Sequence, residues 1–412
     1  MLRVNPFAAL RPQPQVASEV ASVPYDVVNT EEARRLAEGH PLSFLHVVRS
    51  EIDLPPDTDP HSDLVYQRAL ANFQKLERDV LVREAAPAIY IYRQETTLLG
   101  KQVRQTGVVC CCHVGDYASG IIKRHEKTRK DKEDDRTRHV LTLKTNTGPV
   151  FLMYPDRASI SALVEAETKA QPLYDFVAVD GVRHVVWKSA AAERYVAEFQ
   201  RVEAAYVADG HHRAASAARA AAELARANPS HRGNEEYNWF LGALFPASEL
   251  TILPYHRVLK DLNGLSVEAL LARLRASAKV EKTSEPAPTR AGAFGMYVDH
   301  TWYRVELPEA AIDSTDPAKS LDYTLLYEHV LQPVFGIGDI RTDNRIDFVG
   351  GIRGTSELEK RVDSGRDAVA FAMRATNIDH LRRVADADQI MPPKSTWFEP
   401  KLRSGLLIHT LT

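Results

Sequence analysis

The residues Val207-Ala208-Asp209-Gly210-His211-His212-Arg213, followed at once by an alanine-rich run, constrain this chain more than any other stretch. From His212 to Ala227 nearly every residue is a strong helix former. Phe199 to Ala208 includes alternating, β-favouring positions and reads as a strand. Gly210 therefore stands where a strand must turn into a helix. Such a junction leaves backbone N–H groups without intrahelical acceptors and aims the positive end of the helix dipole at one point, which makes an anion site. Asp209 could cap the helix. His211, His212 and Arg213 are different, because cations in the first turn oppose the dipole unless an anion compensates. Arg213 suits bidentate phosphate contact, the histidines can move protons near neutrality, and Asp209 suits a metal ion or a substrate ammonium.

The remaining sequence predicts mixed strands and helices without regular βα alternation, which argues an α+β fold with a mixed-sheet core. Helices are expected at Thr30 to Gly39, capped by Thr30 with Ala33 and Leu36 inward, and at His61 to Arg83, Ser159 to Lys169, Val267 to Ala278 and Leu321 to Val330. Strands are expected at 88–92, 107–114, 149–154, 238–245 and 251–253, with hairpins around Asp180-Gly181 and within 294–307. The run at Gly107 to Val114 is apolar enough to be buried on both faces. It holds all three cysteines of the chain, Cys110, Cys111 and Cys112. They read as packing residues rather than disulfide partners, which fits a reducing, cytoplasmic setting. Three regions are expected: an N-terminal segment, 1–95, packed on the core; a central α+β domain, 96–260, carrying the glycine turn; and a C-terminal region, 261–412, ending in a docked proline-rich tail.

Two further segments carry chemistry. Lys123 to Arg138 is charged throughout and contains His125-Glu126-Lys127-Thr128-Arg129. This begins like a zinc-protease helix, but Arg129 stands where the second histidine is needed, so that platform fails. The segment reads either as a solvated face or as a mobile lid over an anionic ligand. The tail sets Lys394, Ser395, Thr396 and Lys401 between prolines, either to contact phosphate or simply to dock through Trp397 and Phe398. No Gly-x-x-x-x-Gly-Lys loop and no complete dinucleotide fingerprint occur, so the two commonest phosphate cradles are absent. A net charge of -3 disfavours nucleic acid as a partner, and no apolar run is long enough for a membrane helix.

Taken together, Asn5-Pro6-Phe7-Ala8-Ala9-Leu10-Arg11-Pro12, Pro24-Tyr25-Asp26-Val27-Val28, Ser43-Phe44-Leu45-His46-Val47, His125-Glu126-Lys127-Thr128, Ala208 to Arg213 and Met391-Pro392-Pro393-Lys394-Ser395-Thr396 resemble the DUF1015 family from end to end. More distantly, Asp209 to Arg213 resembles the nucleotide-binding motif of the ParB/sulfiredoxin-like superfamily, and especially that of its free-serine kinases. Sulfiredoxins carry their catalytic cysteine where this chain has His211. The resemblance implies a nucleotide cradle with N- and C-terminal extensions, ATP or ADP with Mg²⁺, and a small hydroxy substrate such as L-serine. It implies catalytic roles for Glu126, as base, and for Asp209 and His211. Gly210, His211, His212, Arg213, Arg129, Lys394, Ser395 and Thr396 would bind nucleotide or phosphate, and Asp209 would hold the metal. The spacing from Glu126 to the turn is longer than in the compact kinases. A phosphatase or nucleotide hydrolase, and a nucleotide-gated clamp with weak NTPase activity, are the alternatives on the same cradle.

Overall fold

The structure, a computed structural model, describes residues 1–412. It is α+β and built on two sheets. The first has nine strands, in the order Ile122–Lys123, Ala205–Asp209, Val150–Tyr154, Trp239–Pro246, Lys101–His113, Tyr90–Leu98, Arg183–Lys188 and Tyr174–Val177, with Val4–Asn5 paired to Lys101–His113. It is mixed: Ala205–Asp209 runs parallel to Ile122–Lys123, Trp239–Pro246 runs parallel to Val150–Tyr154, and the other pairings are antiparallel. The second sheet has six antiparallel strands, in the order Lys279–Lys282, Thr301–Glu306, Ala293–Val298, Val369–Ala372, Tyr255–Leu259 and Ile346–Gly350. The division drawn at 95/96 falls inside the strand Tyr90–Leu98. No helix is long and apolar enough to cross a membrane.

The cysteine strand is buried on both faces. Val108, Cys110 and Cys112 point into one apolar cluster, with Leu152, Tyr195 and Phe199, while Val109 and Cys111 point into another, with Phe151, Phe245 and Phe398. Successive residues of a strand face opposite ways, so an uninterrupted apolar run is what such a position requires.

Several local expectations are corrected. The first long helix, Thr30–Ala37, is capped by Asn29, whose side chain accepts from Glu32 N–H while Glu32 reaches back to the Asn29 N–H. That capping box satisfies two free donors, which Thr30 alone would not; the helix buries Ala33 and Ala37, and Leu36 is exposed. The helix begun near His61 runs only Asp63–Asp79; Leu81–Arg83 is a strand paired with Leu10–Pro12. Phe199 closes an amphipathic helix, Ala192–Phe199, that buries Tyr195 and Phe199, and the strand into the glycine turn starts at Ala205. The charged segment is no loose lid. It enters a helix, Lys130–Leu143, whose apolar anchors Val140 and Leu143 lie just beyond the charged run. Its acidic face pairs with Arg219 of the alanine helix, through Glu133 at 3.3 Å and Asp134 at 2.7 Å.

Candidate functional site

The strand Ala205–Asp209 ends at Gly210, whose φ of +88° is the left-handed conformation glycine adopts without strain. The helix His211–Ala227 starts there with no side chain capping its N-terminus. The first N–H groups of a helix lack intrahelical acceptors, and here they open on a cavity of about 240 Å³. Its lining brings together Glu126, Asp209, Gly210, His211, His212, Lys394, Thr396 and Lys401, and adds Asp26, Tyr255 and Trp397. Residues far apart in sequence therefore converge on the glycine turn, at the seam between the two sheets.

Each charge in the cavity is set by its neighbours. Asp209 lies 3.3 Å from the Arg213 guanidinium and 3.7 Å from the Lys401 ammonium. Burial alone would raise its pKa, but Lys401, Arg213, His211 and Lys394 hold it below the usual carboxylate range. Glu126 is pushed the other way, mainly by burial and also by Asp209 and Asp26, so that the nearby lysines do not restore an ordinary value. The cavity thus holds one firmly ionised carboxylate and one that takes up a proton more readily.

Beneath the turn His125 and His211 meet edge to face with ring centroids 4.6 Å apart. Burial lowers the His125 pKa to about 4, and burial together with His125 holds that of His211 well below the usual histidine value. Both rings are therefore neutral near pH 7. His125 Nε2 lies 3.3 Å from the Thr396 hydroxyl, while His125 Nδ1 and His211 Nε2 have no hydrogen-bond partner. His212 Nε2 accepts the Arg129 backbone N–H at 3.1 Å, which fastens the approach to the charged helix against the turn.

Three of the expected phosphate ligands point elsewhere. Arg213 is turned back under the strand, donating to the Pro149 carbonyl and to Asp209, with Asp26 at 3.9 Å. The Arg129 guanidinium pairs with Asp131 at the surface. Ser395 donates its hydroxyl to the Pro392 carbonyl at 2.6 Å and is buried. In each case a local acceptor captures the donor, which sequence spacing does not reveal.

The tail forms one wall. Met391 N–H donates to the His125 carbonyl at 2.8 Å, the Lys394 ammonium lies 5.4 Å above the Tyr255 ring, and that of Lys401 lies 4.9 Å above Trp397. Gln105 and Gln94 face each other across adjacent strands and donate to the carbonyls of Pro400 and Lys401, at 3.1 and 2.8 Å. Sequence reasoning gave no site role to Asp26 or Tyr255 and gave Trp397 only that of docking the tail. The one signal for the tail attachment is a pair of glutamines facing each other in two strands whose other buried residues, Thr106 aside, are apolar, aromatic or glycine.

No group of three His, Cys, Asp or Glu side chains in the structure forms a complete metal site. Mg²⁺ commonly uses one or two carboxylates and takes its other oxygens from phosphates and water. Asp26 and Asp209 both line the cavity and supply that number of carboxylates, each also within 4 Å of one Arg213 nitrogen.

These features define an α+β protein with a cavity of mixed charge at a strand-to-helix turn. Residues 4–324 match the family described as Protein of unknown function (DUF1015), and the chain belongs to that family. The matched span stops short of the Met391–Thr396 stretch. No curated protein matches the chain significantly. Among solved structures, a variant free serine kinase in complex with AMP is similar at 11% identity and a TM-score of 0.37, over 73% of this chain and 92% of that one. A conserved hypothetical protein from Pyrococcus furiosus gives 12% identity and 0.34, over 73% and 94%. SbnI with a C-terminal truncation, from Staphylococcus aureus, gives 11% and 0.38, over 73% and 86%. Superpositions this loose carry no functional argument.

Proposed function

We propose that the protein is a nucleotide-dependent phosphotransferase acting on a small hydroxy compound, with free L-serine as the first acceptor to test. One observation carries the reading: an uncapped helix N-terminus faces, across one cavity, a glutamate whose pKa is raised by burial. The first is suited to hold phosphate and the second to accept a proton near neutrality.

In this reading the backbone N–H groups that open the helix hold the phosphates, and Lys394 and Lys401 neutralise charge on the transferred group. The substrate hydroxyl oxygen attacks the terminal phosphoryl phosphorus. Its proton passes to Glu126, and the shortened nucleotide leaves with the electron pair of the broken P–O bond. Neutral His211, whose Nε2 is shut off from the cavity, braces the turn against His125. Asp209 and Asp26 would hold Mg²⁺, which when bound neutralises phosphate charge. Arg213 keeps Asp209 in place rather than touching phosphate.

Phosphorus NMR of the protein with ATP or ADP, Mg²⁺ and L-serine should show phosphoserine. Nucleotide binding without any phosphorylated alcohol would replace the kinase by a clamp, and inorganic phosphate as the sole product would replace it by a hydrolase. A bound nucleotide must also raise the melting temperature; no shift with either nucleotide would remove the cradle altogether.

A further inference from the structure

Arg257 is a buried cation with no carboxylate beside it. It sits in the strand Tyr255–Leu259 of the second sheet and is 2% exposed. Its guanidinium is sandwiched between Tyr323 and Phe348, at 4.3 and 5.1 Å from the ring centroids. It donates to three carbonyls: Tyr255 on its own strand, Lys394 at 2.9 Å and Pro393 at 3.1 Å. Burying a charge without a counter-ion is costly unless its donors are well used. Two of the three acceptor residues, Tyr255 and Lys394, line the cavity, and Lys394 is a non-glycine residue held at φ +59°. That region is sparsely populated by side-chain-bearing residues and persists only where surrounding structure enforces it.

We propose that Arg257 is a positioning residue for the cavity: it grips the Pro393-Lys394 corner from the second sheet and thereby sets the Lys394 ammonium over Tyr255 and into the site. A planar fork with five donors can take carbonyls from two separate segments at once, which an ammonium or an amide does less well. The corner has two further ties, Thr376 Oγ1 to the Ser395 carbonyl at 2.9 Å and Ser395 Oγ to the Pro392 carbonyl. Neither reaches the Lys394 backbone. The other lysine, Lys401, is fastened from the first sheet by Gln94 and Gln105. The two ammonium groups of the site are thus held from different sheets, and only Lys394 depends on Arg257.

The test uses the full chain with Arg257→Lys and Arg257→Met. Trypsin cutting after Lys394 is followed by mass spectrometry. Arg257→Met is expected to speed that cut at least tenfold while cuts elsewhere keep their rates, and Arg257→Lys should fall between. Unchanged cutting after Lys394 in both variants overturns the proposal, and so does faster cutting at every site, which would mean general loosening. If the methionine variant does not fold, the lysine variant decides alone. A second readout rests on the phosphotransferase reading: ADP affinity in a cycle of Arg257→Lys, Lys394→Met and the double variant. Arg257→Lys should weaken ADP several-fold in the wild-type background and have no further effect once Lys394 is gone. Additive losses overturn action through Lys394. If the wild type does not bind ADP while the trypsin result holds, the nucleotide reading fails and the positioning role stands.

Discussion

At the scale of single residues, the contrast between Glu126 and Asp209 makes the cavity capable of acid–base work. The same lysines face both carboxylates, yet Asp209 is held ionised while Glu126 is raised. A base must be deprotonated, so turnover should fall as pH drops through the raised Glu126 pKa, with an acid limb in kcat/KM above the ordinary glutamate value of about 4.3. Glu126→Gln should keep nucleotide binding by thermal shift and lose turnover by a factor of about 10² or more; unchanged turnover would return the glutamate to a structural role. The histidines give a separate signature. His125 and His211 are neutral when folded and titrate at about 6.5 when unfolded. A depressed native pKa contributes stability that is full above the unfolded value and is lost as pH falls toward the folded one, about 4 for His125. Urea midpoints should therefore decline between roughly pH 6.5 and 5, where most carboxylates are still ionised. The decline should become shallower, not vanish, in His125→Phe, which keeps an aromatic ring against His211, because burial also depresses His139, His184 and His256; an equal slope in that variant would place the acid sensitivity wholly in those other histidines.

At the scale of elements, the glycine turn was legible because every local cue agreed: a strand run, a glycine and a helix of alanines. The charged segment was not, because its apolar anchors Val140 and Leu143 follow the charges and its partner Arg219 lies far along the chain. The extended reading of Phe199 failed because Tyr195 and Phe199, four apart, also satisfy a helix that buries one face. The site itself was half legible. Glu126, Asp209, His211, His212, Lys394 and Thr396 meet in one cavity, whereas Tyr255 and Trp397 enter it only because the second sheet and the tail close over the turn. The turn carries its own test. A Cβ on Gly210 would meet the Arg213 guanidinium carbon at 3.0 Å, and the backbone there is left-handed. Gly210→Ala should cost about 1–2 kcal/mol from backbone strain, lowering the melting temperature by several degrees. It should also displace Arg213 from Asp209 and remove the thermal shift given by ADP. A variant with wild-type stability and an intact shift would mean that the turn tolerates a side chain and that the anion is held elsewhere.

At the scale of the whole molecule, the tail is part of the core rather than an appendage. Met391, Phe398, Leu402, Leu406 and Leu407 pack into the cluster that holds Phe151, Phe245 and Cys111. Ile408 joins Phe44 and Phe73 in another, and Leu411 lies against Ala220 and Ala221 on the far side of the helix that opens the site. The alanines thus serve twice: they favour helix, and their small side chains let the chain end approach the helix closely. Burying a side chain of this kind contributes about 1.5–3 kcal/mol, so these positions together are worth on the order of 10 kcal/mol or more, comparable to the whole net stability of a domain. A protein ending at residue 390 should therefore fail to unfold cooperatively by calorimetry and should bind the apolar dye ANS. Phe398→Ala in the full chain should lose about 3–5 kcal/mol while remaining folded. If the truncated chain instead melts sharply near the wild-type temperature, the tail is a detachable lid, and the cavity would then open and close by its release. The packing of Phe398 beneath the wall that carries Lys394 and Lys401 argues the reverse, that the site is assembled as part of folding.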